Sequence, residues 1–151
     1  MTSITPFLWF DDNAQDAIDL YSSVFPDTRV TERQLGPDGK LFTATIEAAG
    51  QRIHFLNAGP GHPFTDAISL FVSCADQAEV DRYWDALTAD GGAPGPCGWL
   101  TDRFGLSWQI VPEAMGRLLS DPDPEKAGRA MAAMMQMSKI VVADLEAAAR
   151  G

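Results

Sequence analysis

The hydrophobic positions of this chain follow one pattern that occurs twice. With a shift of 62 positions, apolar residues of the first third fall on apolar residues of the middle third, and with a shift of 55 the segment 50–55 falls on 105–110. The matches at the larger shift are Leu8 with Leu70, Phe10 with Val72, Ile18 with Val80, Tyr21 with Tyr83 and Phe25 with Leu87. The sequence therefore predicts two diverged copies of one strand–helix–strands module, with a cleft between the copies.

The first copy begins with a predicted strand over 3–10, where both alternating sets of residues are apolar and both faces need cover. Asp12 or Asn13 caps a helix that ends at Pro26. The apolar stripe of this helix has a 3.6-residue period and consists of Ala14, Ala17, Ile18, Tyr21 and Phe25. Three further strands are predicted over 28–35, 41–48 and 51–57, the first two joined by a turn at 36–39.

The second copy follows a linker rich in glycine and proline. Its first strand is predicted over 67–73, and Asp76 with Glu79 resembles a capping box before a helix that carries Val80, Tyr83, Trp84 and Leu87. Two strands are predicted over 98–104 and 106–112, with room for a short one near 93–96. Helices are predicted after Asp123-Pro124 and over 142–149. We therefore divide one domain, 1–151, into module one 1–58, linker 59–66, module two 67–112 and a helical tail 113–151.

Composition narrows the possible partners. The chain has 151 residues and a net charge of −10, which disfavours binding to nucleic acid and to anionic membranes. No apolar stretch approaches the roughly 20 residues of a spanning helix, and the first residues do not resemble a signal peptide, so we expect a cytoplasmic protein. The two cysteines, Cys74 and Cys97, are expected to be reduced and structural.

Three segments resemble the PhnB-like branch of the vicinal oxygen chelate superfamily, which includes glyoxalase I, bleomycin-resistance proteins and extradiol dioxygenases. They are ITPFLWFDDNAQDAIDLYSSVFP, CGWLTDRFGLSWQIVP and LSDPDPEKAGRAMAAMMQMSKI. The resemblance implies an α+β fold in which two βαβββ modules form a pseudo-symmetric open barrel, with a C-terminal helical tail. It also implies a homodimer, as in many relatives. Members of this branch are often named 3-demethylubiquinone-9 3-methyltransferase.

The resemblance also locates the metal site that catalytic members of the superfamily use. Its four ligand positions map onto Thr5, His54, Ala67 and Gln109. Only His54 is a competent ligand for a transition metal, because alanine has no donor atom and an amide oxygen binds such metals weakly. We therefore expect neither a bound metal nor another cofactor.

The same mapping fixes which side chains would face the cleft, because side chains alternate along a strand. The resulting candidate ligand-binding residues are Phe7, Trp9, Arg52, His54, Ser69, Phe71 and Gln109. Aromatic side chains with a few polar groups are typical of a small-molecule site. Arg52 could bind an anionic group, and His54 and Gln109 could donate or accept hydrogen bonds. No catalytic residues can be assigned, because His54 and His62 are the only histidines and no nucleophile motif accompanies them.

Three functions remain open from the sequence. The first is a metal-free protein that binds a small aromatic or amphipathic molecule. The second is an enzyme, either a metal-dependent isomerase, lyase or dioxygenase, or the methyltransferase of the family name. The third is a structural or regulatory homodimer whose cavity is filled by its own side chains. The expected partners are a small-molecule ligand and a second copy of the chain, with no nucleic acid and no membrane.

Overall fold

The computed structural model describes all residues from Met1 to Gly151, which form two compact units, Met1–Pro63 and Phe64–Gly151. The division falls within the segment that the sequence predicts as a linker. Each unit has its own four-stranded sheet, and neither sheet is closed. The predicted α+β fold of two βαβββ modules followed by helices is confirmed.

The first unit contains one helix and a mixed sheet in the order β1-β4-β3-β2. Strand β1 runs parallel to β4, and the other neighbours are antiparallel. The elements are β1 (Phe7–Phe10), α1 (Ala14–Val24), β2 (Arg29–Leu35), β3 (Leu41–Ala48) and β4 (Gln51–Asn57).

Helix α1 covers one face of this sheet. The rings of Phe10 and Phe55 stack with centroids 5.6 Å apart, and Tyr21 from the helix lies 6.1 Å from Phe55. All three residues are buried, so this face holds the core of the unit. The predicted side-chain cap from Asn13 is absent. Instead Asn57 Oδ1 accepts a hydrogen bond from the backbone N–H of Ala14 at 2.9 Å, which ties the helix to the end of β4.

The second unit repeats this topology in the order β5-β8-β7-β6. Its first five elements are β5 (Leu70–Cys74), α2 (Gln77–Thr88), β6 (Ala93–Pro94), β7 (Trp99–Thr101) and β8 (Ser107–Pro112). The capping box is confirmed: Asp76 Oδ1 accepts from the Glu79 backbone at 2.9 Å, and Glu79 Oε2 accepts from the Ala75 backbone at 2.8 Å.

Three helices complete the second unit: α3 (Glu113–Leu119), α4 (Pro124–Met134) and α5 (Val142–Arg150). The sequence predicted α4 and α5 but not α3. Met134, Ile140 and Leu145 form a buried cluster among these helices. None of the helices in the chain has the length and hydrophobicity that would let it span a membrane.

At three ends the strands are shorter than predicted by more than a single residue. Strands β1 and β5 begin at Phe7 and Leu70, so the earlier residues of the predicted strands, including Thr5 and Ala67, precede the sheets. Strand β7 ends at Thr101 because Asp102 forms a turn there, accepting hydrogen bonds from the backbone N–H groups of Phe104 and Leu106.

Candidate functional site

The face of the first sheet that α1 does not cover carries the candidate site. Along β1, Leu8 and Phe10 are buried against the helix, whereas Phe7 and Trp9 lie on the opposite, open face. Phe7 is 58% exposed, which is unusual for a large aromatic side chain within a strand. A sheet face with an exposed aromatic ring offers an apolar contact surface to a ligand.

Four side chains from the four strands form a row across this open face, which we call the imidazole row. The strand register places Phe7 opposite His54, His54 opposite Thr45, and Thr45 opposite Glu32. Side chains on directly opposed residues share a face, so the row runs from an aromatic ring through an imidazole and a hydroxyl to a carboxylate.

Hydrogen bonds connect the polar members of the imidazole row. His54 Nδ1 lies 2.7 Å from Thr45 Oγ1, and Thr45 Oγ1 lies 3.5 Å from Glu32 Oε2. Thr45 is only 2% exposed, so its hydroxyl depends on these side-chain partners. The Phe7 ring lies against the imidazole, with centroids 5.9 Å apart and ring planes 52° apart. These contacts fix the orientation of the His54 ring.

The imidazole row borders a hollow of about 550 Å³. A hollow of this size can hold a small organic molecule. Its lining residues are Phe7, Glu32, Arg33, Gln34, Thr43, Ala44, Thr45, His54 and Phe55. It therefore combines one exposed aromatic ring with several hydrogen-bonding groups, all from the first unit.

Arg52 lies beside the hollow but has a partner already. Its guanidinium is 3.4 Å from Glu32 Oε1, and both side chains are largely exposed. Such a pair contributes little stability, but it reduces the positive charge that Arg52 would offer to an anionic ligand. Arg33 from the edge strand lines the hollow instead.

Trp9 lies on the same open face but outside the hollow. Its indole Nε1 donates to the carbonyl of Gly59 at 2.9 Å, and the ring of His62 packs on it with centroids 4.0 Å apart. Trp9 is therefore engaged by the loop that follows β4, which the sequence pattern did not indicate.

The remaining three predicted site residues, Ser69, Phe71 and Gln109, belong to the second unit. Gln109 Nε2 donates to Ser69 Oγ at 2.9 Å, and Phe71 lies opposite Gln109 and is 59% exposed. Of the seven predicted ligand-binding residues, the hollow brings together Phe7 and His54.

Sequence reasoning missed Glu32, Arg33 and Thr45. Thr45 and Glu32 lie on β3 and β2, which bear none of the mapped ligand positions. Alternation along these strands does not tell which of their side chains share the face of His54, because the register with β4 decides it.

The donor atoms do not fit a chelated transition metal. At the four mapped positions, Thr5 and Ala67 precede their strands, the Gln109 amide bonds Ser69, and His54 Nδ1 is engaged by Thr45. Nowhere in the chain do three or more His, Cys, Asp or Glu side chains form a group that could hold a metal ion. A single imidazole nitrogen is insufficient for such a site.

Both cysteines belong to the second unit, whereas the residues that line the hollow belong to the first. Burial, helped by the nearby Glu79 carboxylate, raises the pKa of the Cys74 thiol from 9.0 to about 11. A thiol of that pKa is protonated at neutral pH and is a poor nucleophile.

A family model and a solved structure point to the same protein family. The model of the family described as 3-demethylubiquinone-9 3-methyltransferase matches residues 2–111. No curated protein matches the chain.

Several solved structures share the fold. The PhnB protein of Bacillus cereus is 28% identical, with a TM-score of 0.66 over 74% of this chain and 99% of that one. A Pseudomonas aeruginosa protein is 19% identical, with a TM-score of 0.62 over 75% and 98%. The fosfomycin resistance protein FosX of Listeria monocytogenes, solved with Mn(II) and a dihydroxypropylphosphonic acid, is 15% identical, with a TM-score of 0.53 over 72% and 90%. At the last two identities the likeness concerns the fold alone.

Proposed function

Because this chain belongs to the PhnB-like 3-demethylubiquinone-9 3-methyltransferase family of the vicinal oxygen chelate superfamily, we propose that it binds a small aromatic or amphipathic molecule without a metal. The site is the hollow on the open face of the first sheet. The observation that carries this proposal is the hollow of about 550 Å³ beside the exposed ring of Phe7 and the polar groups of the imidazole row.

The physical chemistry of the hollow supports this ligand class. Contact with Phe7 removes apolar surface from water on both partners, and that gain favours a ligand with a flat or apolar part. Thr45 and His54 hold polar atoms in fixed places beside the ring, where they can orient one polar group of the ligand. An amphipathic molecule uses both features.

The methyltransferase activity in the family description does not fit the residues present. A cofactor of the S-adenosylmethionine type is usually cradled by a glycine-rich turn after the first strand of a parallel sheet. Here Asp11, Asp12 and Asn13 follow β1, and each sheet has only one parallel pair of strands. The proposal therefore includes no methyl-group transfer.

A fragment screen with two matched variants tests the proposal. Small aromatic and amphipathic compounds are screened by thermal shift, since a ligand that binds the folded state raises its apparent stability. Phe7→Ala should weaken the binding of the best hits about tenfold, the effect of losing roughly 1.4 kcal/mol of apolar contact. Phe71→Ala is the matched control, because Phe71 has nearly the same exposure on the second sheet.

The two variants separate the outcomes. The proposal predicts weaker binding in Phe7→Ala and unchanged binding in Phe71→Ala. Equal losses in both variants would mean that the ligand contacts both sheets, as the cleft predicted from the sequence requires. Unchanged binding in Phe7→Ala, or no hits at all, would contradict the proposed site.

A further inference from the structure

The hydrogen bonds of the imidazole row determine where the proton of the His54 ring lies. The Thr45 hydroxyl has one proton and stands between His54 Nδ1 at 2.7 Å and Glu32 Oε2 at 3.5 Å. An ionised carboxylate can only accept a hydrogen bond. One arrangement satisfies both contacts: the hydroxyl proton points to Glu32, and the proton on His54 Nδ1 is donated to the hydroxyl oxygen.

The opposite arrangement is electrostatically unfavourable. If Thr45 donated its proton to Nδ1, the lone pairs of its oxygen would face the Glu32 carboxylate with no proton between them. Because Thr45 is 2% exposed, water has little access to its oxygen to bridge the two groups, although the Glu32 carboxylate itself is largely exposed. A neutral imidazole with its proton on Nδ1 has a free lone pair on Nε2.

We propose that His54 presents this unprotonated Nε2 to the hollow, and that it selects planar-ring ligands carrying a hydroxyl or N–H donor. The inference rests on the small-molecule function proposed above. His54 lines the hollow, and the hydrogen bond of its ring is at Nδ1, which leaves Nε2 available. The Phe7 ring beside the imidazole supplies the apolar contact for the ligand ring.

The charges around the hollow favour an uncharged donor over an anion. Glu32 lines the hollow, and Arg52, the residue expected from the sequence to bind an anion, is paired with it. Residues 1–63 contain four Arg and Lys against eight Asp and Glu. Arg33 also lines the hollow, so the charge of Glu32 is offset locally and it is the acidic unit as a whole that disfavours a carboxylate ligand, whereas a hydroxyl donor would meet an acceptor atom.

Three probes that differ in one group test the inference: 4-methylphenol, 4-methylanisole and 4-methylbenzoate. Their affinities are measured by calorimetry with the full chain at about pH 8, where the phenol keeps its proton and an ordinary histidine ring is neutral. Since one hydrogen bond corresponds to about a tenfold change in affinity, 4-methylphenol should bind about tenfold more tightly than its methyl ether. His54→Phe and the near-isosteric Thr45→Val should both remove the difference. His62→Phe, at the other histidine, should retain it.

The possible outcomes separate this inference from the proposed function. Equal binding of the phenol and its ether would overturn the inference but leave the small-molecule site intact. Tightest binding of 4-methylbenzoate would also overturn it and would assign recognition to Arg33. Binding of none of the three probes would count against the inference and the site together.

A spectroscopic measurement on the unmodified protein makes the test independent of how the variants fold. The ¹⁵N NMR shifts of His54 should show a protonated Nδ1 and an unprotonated, pyridine-like Nε2. A ring protonated at Nε2 alone would overturn the inference whatever the variants do.

Discussion

At the scale of single residues, Asp102 has the largest structural role that the sequence did not reveal. It is 2% exposed and accepts hydrogen bonds from the backbones of Phe104 and Leu106 and from Trp108 Nε1. Asp102→Ala should lower the free energy of unfolding by about 3 kcal/mol, because buried donors lose a charged acceptor. Urea denaturation measures this, with the exposed turn variant Asp38→Ala as control. Equal losses in the two variants would show that the buried bonds contribute little.

Cys74 should make the stability sensitive to alkaline pH. Its pKa is raised by burial from an ordinary value of 9.0 to about 11, so the unfolded thiol ionises before the folded one. The contribution of the protonated Cys74 thiol to stability is complete below pH 9. It is lost as the pH rises towards 11, which lowers the free energy of unfolding by about 2–3 kcal/mol in total. The free energy of unfolding should fall less steeply over this range in Cys74→Ala than in the parent. Cys97→Ala should keep the parent slope; identical slopes in all three proteins would contradict the assignment.

At the scale of elements, Gln77 joins α2 to the last helix. Its Nε2 donates to the carbonyl of Ile140 at 3.0 Å, and its Oε1 accepts from the Val142 backbone at 2.8 Å. Its Nε2 also bonds Asp81, and this bond, with help from Lys139, lowers the pKa of that carboxyl group. Gln77 therefore satisfies backbone groups at the start of α5 that the helix cannot satisfy itself.

Gln77→Ala should loosen α5 without unfolding the sheets. The amides of residues 140–150 should exchange with deuterium up to about a hundredfold faster, since two hydrogen bonds, each worth about a tenfold change, are lost at a partly buried junction. Gln15→Ala is the matched control, because Gln15 bonds Asp19 on α1 just as Gln77 bonds Asp81 on α2. Unchanged exchange in residues 140–150 of Gln77→Ala would show that apolar packing alone holds α5.

Patterns within short segments predicted the helices whose formation depends on residues close together in the sequence. Helical spacing of apolar residues identified α1 and α2, and Asp76 with Glu79 marked the start of α2. Helix α3 was missed because its seven residues are too few to show a period and include Gly116. The cap of α1 by Asn57 depends on a hydrogen bond between residues 43 positions apart, which no local pattern encodes.

The candidate site was partly predictable for the same reason. Alternation along β1 and β4 placed Phe7 and His54 on one face. The contacts that define the role of His54 come from Thr45 and Glu32, and they depend on the register between strands rather than on any single strand. The environment of Trp9 could not be predicted for a different reason. The loop after β4 packs on its ring, and that loop has no periodic pattern from which its position could be predicted.

At the scale of the whole chain, the duplication explains the topology but does not predict equal sites. Both sheets have the same strand order, yet Phe7 lies opposite His54 in the first and Phe71 opposite Gln109 in the second. When His54 is aligned with Gln109, Phe7 is aligned with Phe71, which differs by two residues from the shift of 62 found in the apolar pattern. Because this difference is even, alternation still places corresponding side chains on the same face of each sheet. The chemistry differs, because the amide of Gln109 is already bonded to Ser69.

The central claim is that the hollow of the first sheet binds a small molecule. The most direct test is a ¹H–¹⁵N NMR titration of the labelled full chain with the best aromatic fragment. The account predicts saturable shifts of the backbone amides at Phe7, Glu32, Thr45 and His54. The control region is the smaller hollow of about 330 Å³ near Leu118 and Arg150, where the amides should not move. Shifts confined to that region or to the second sheet, or no saturable shifts with any fragment, would contradict the account.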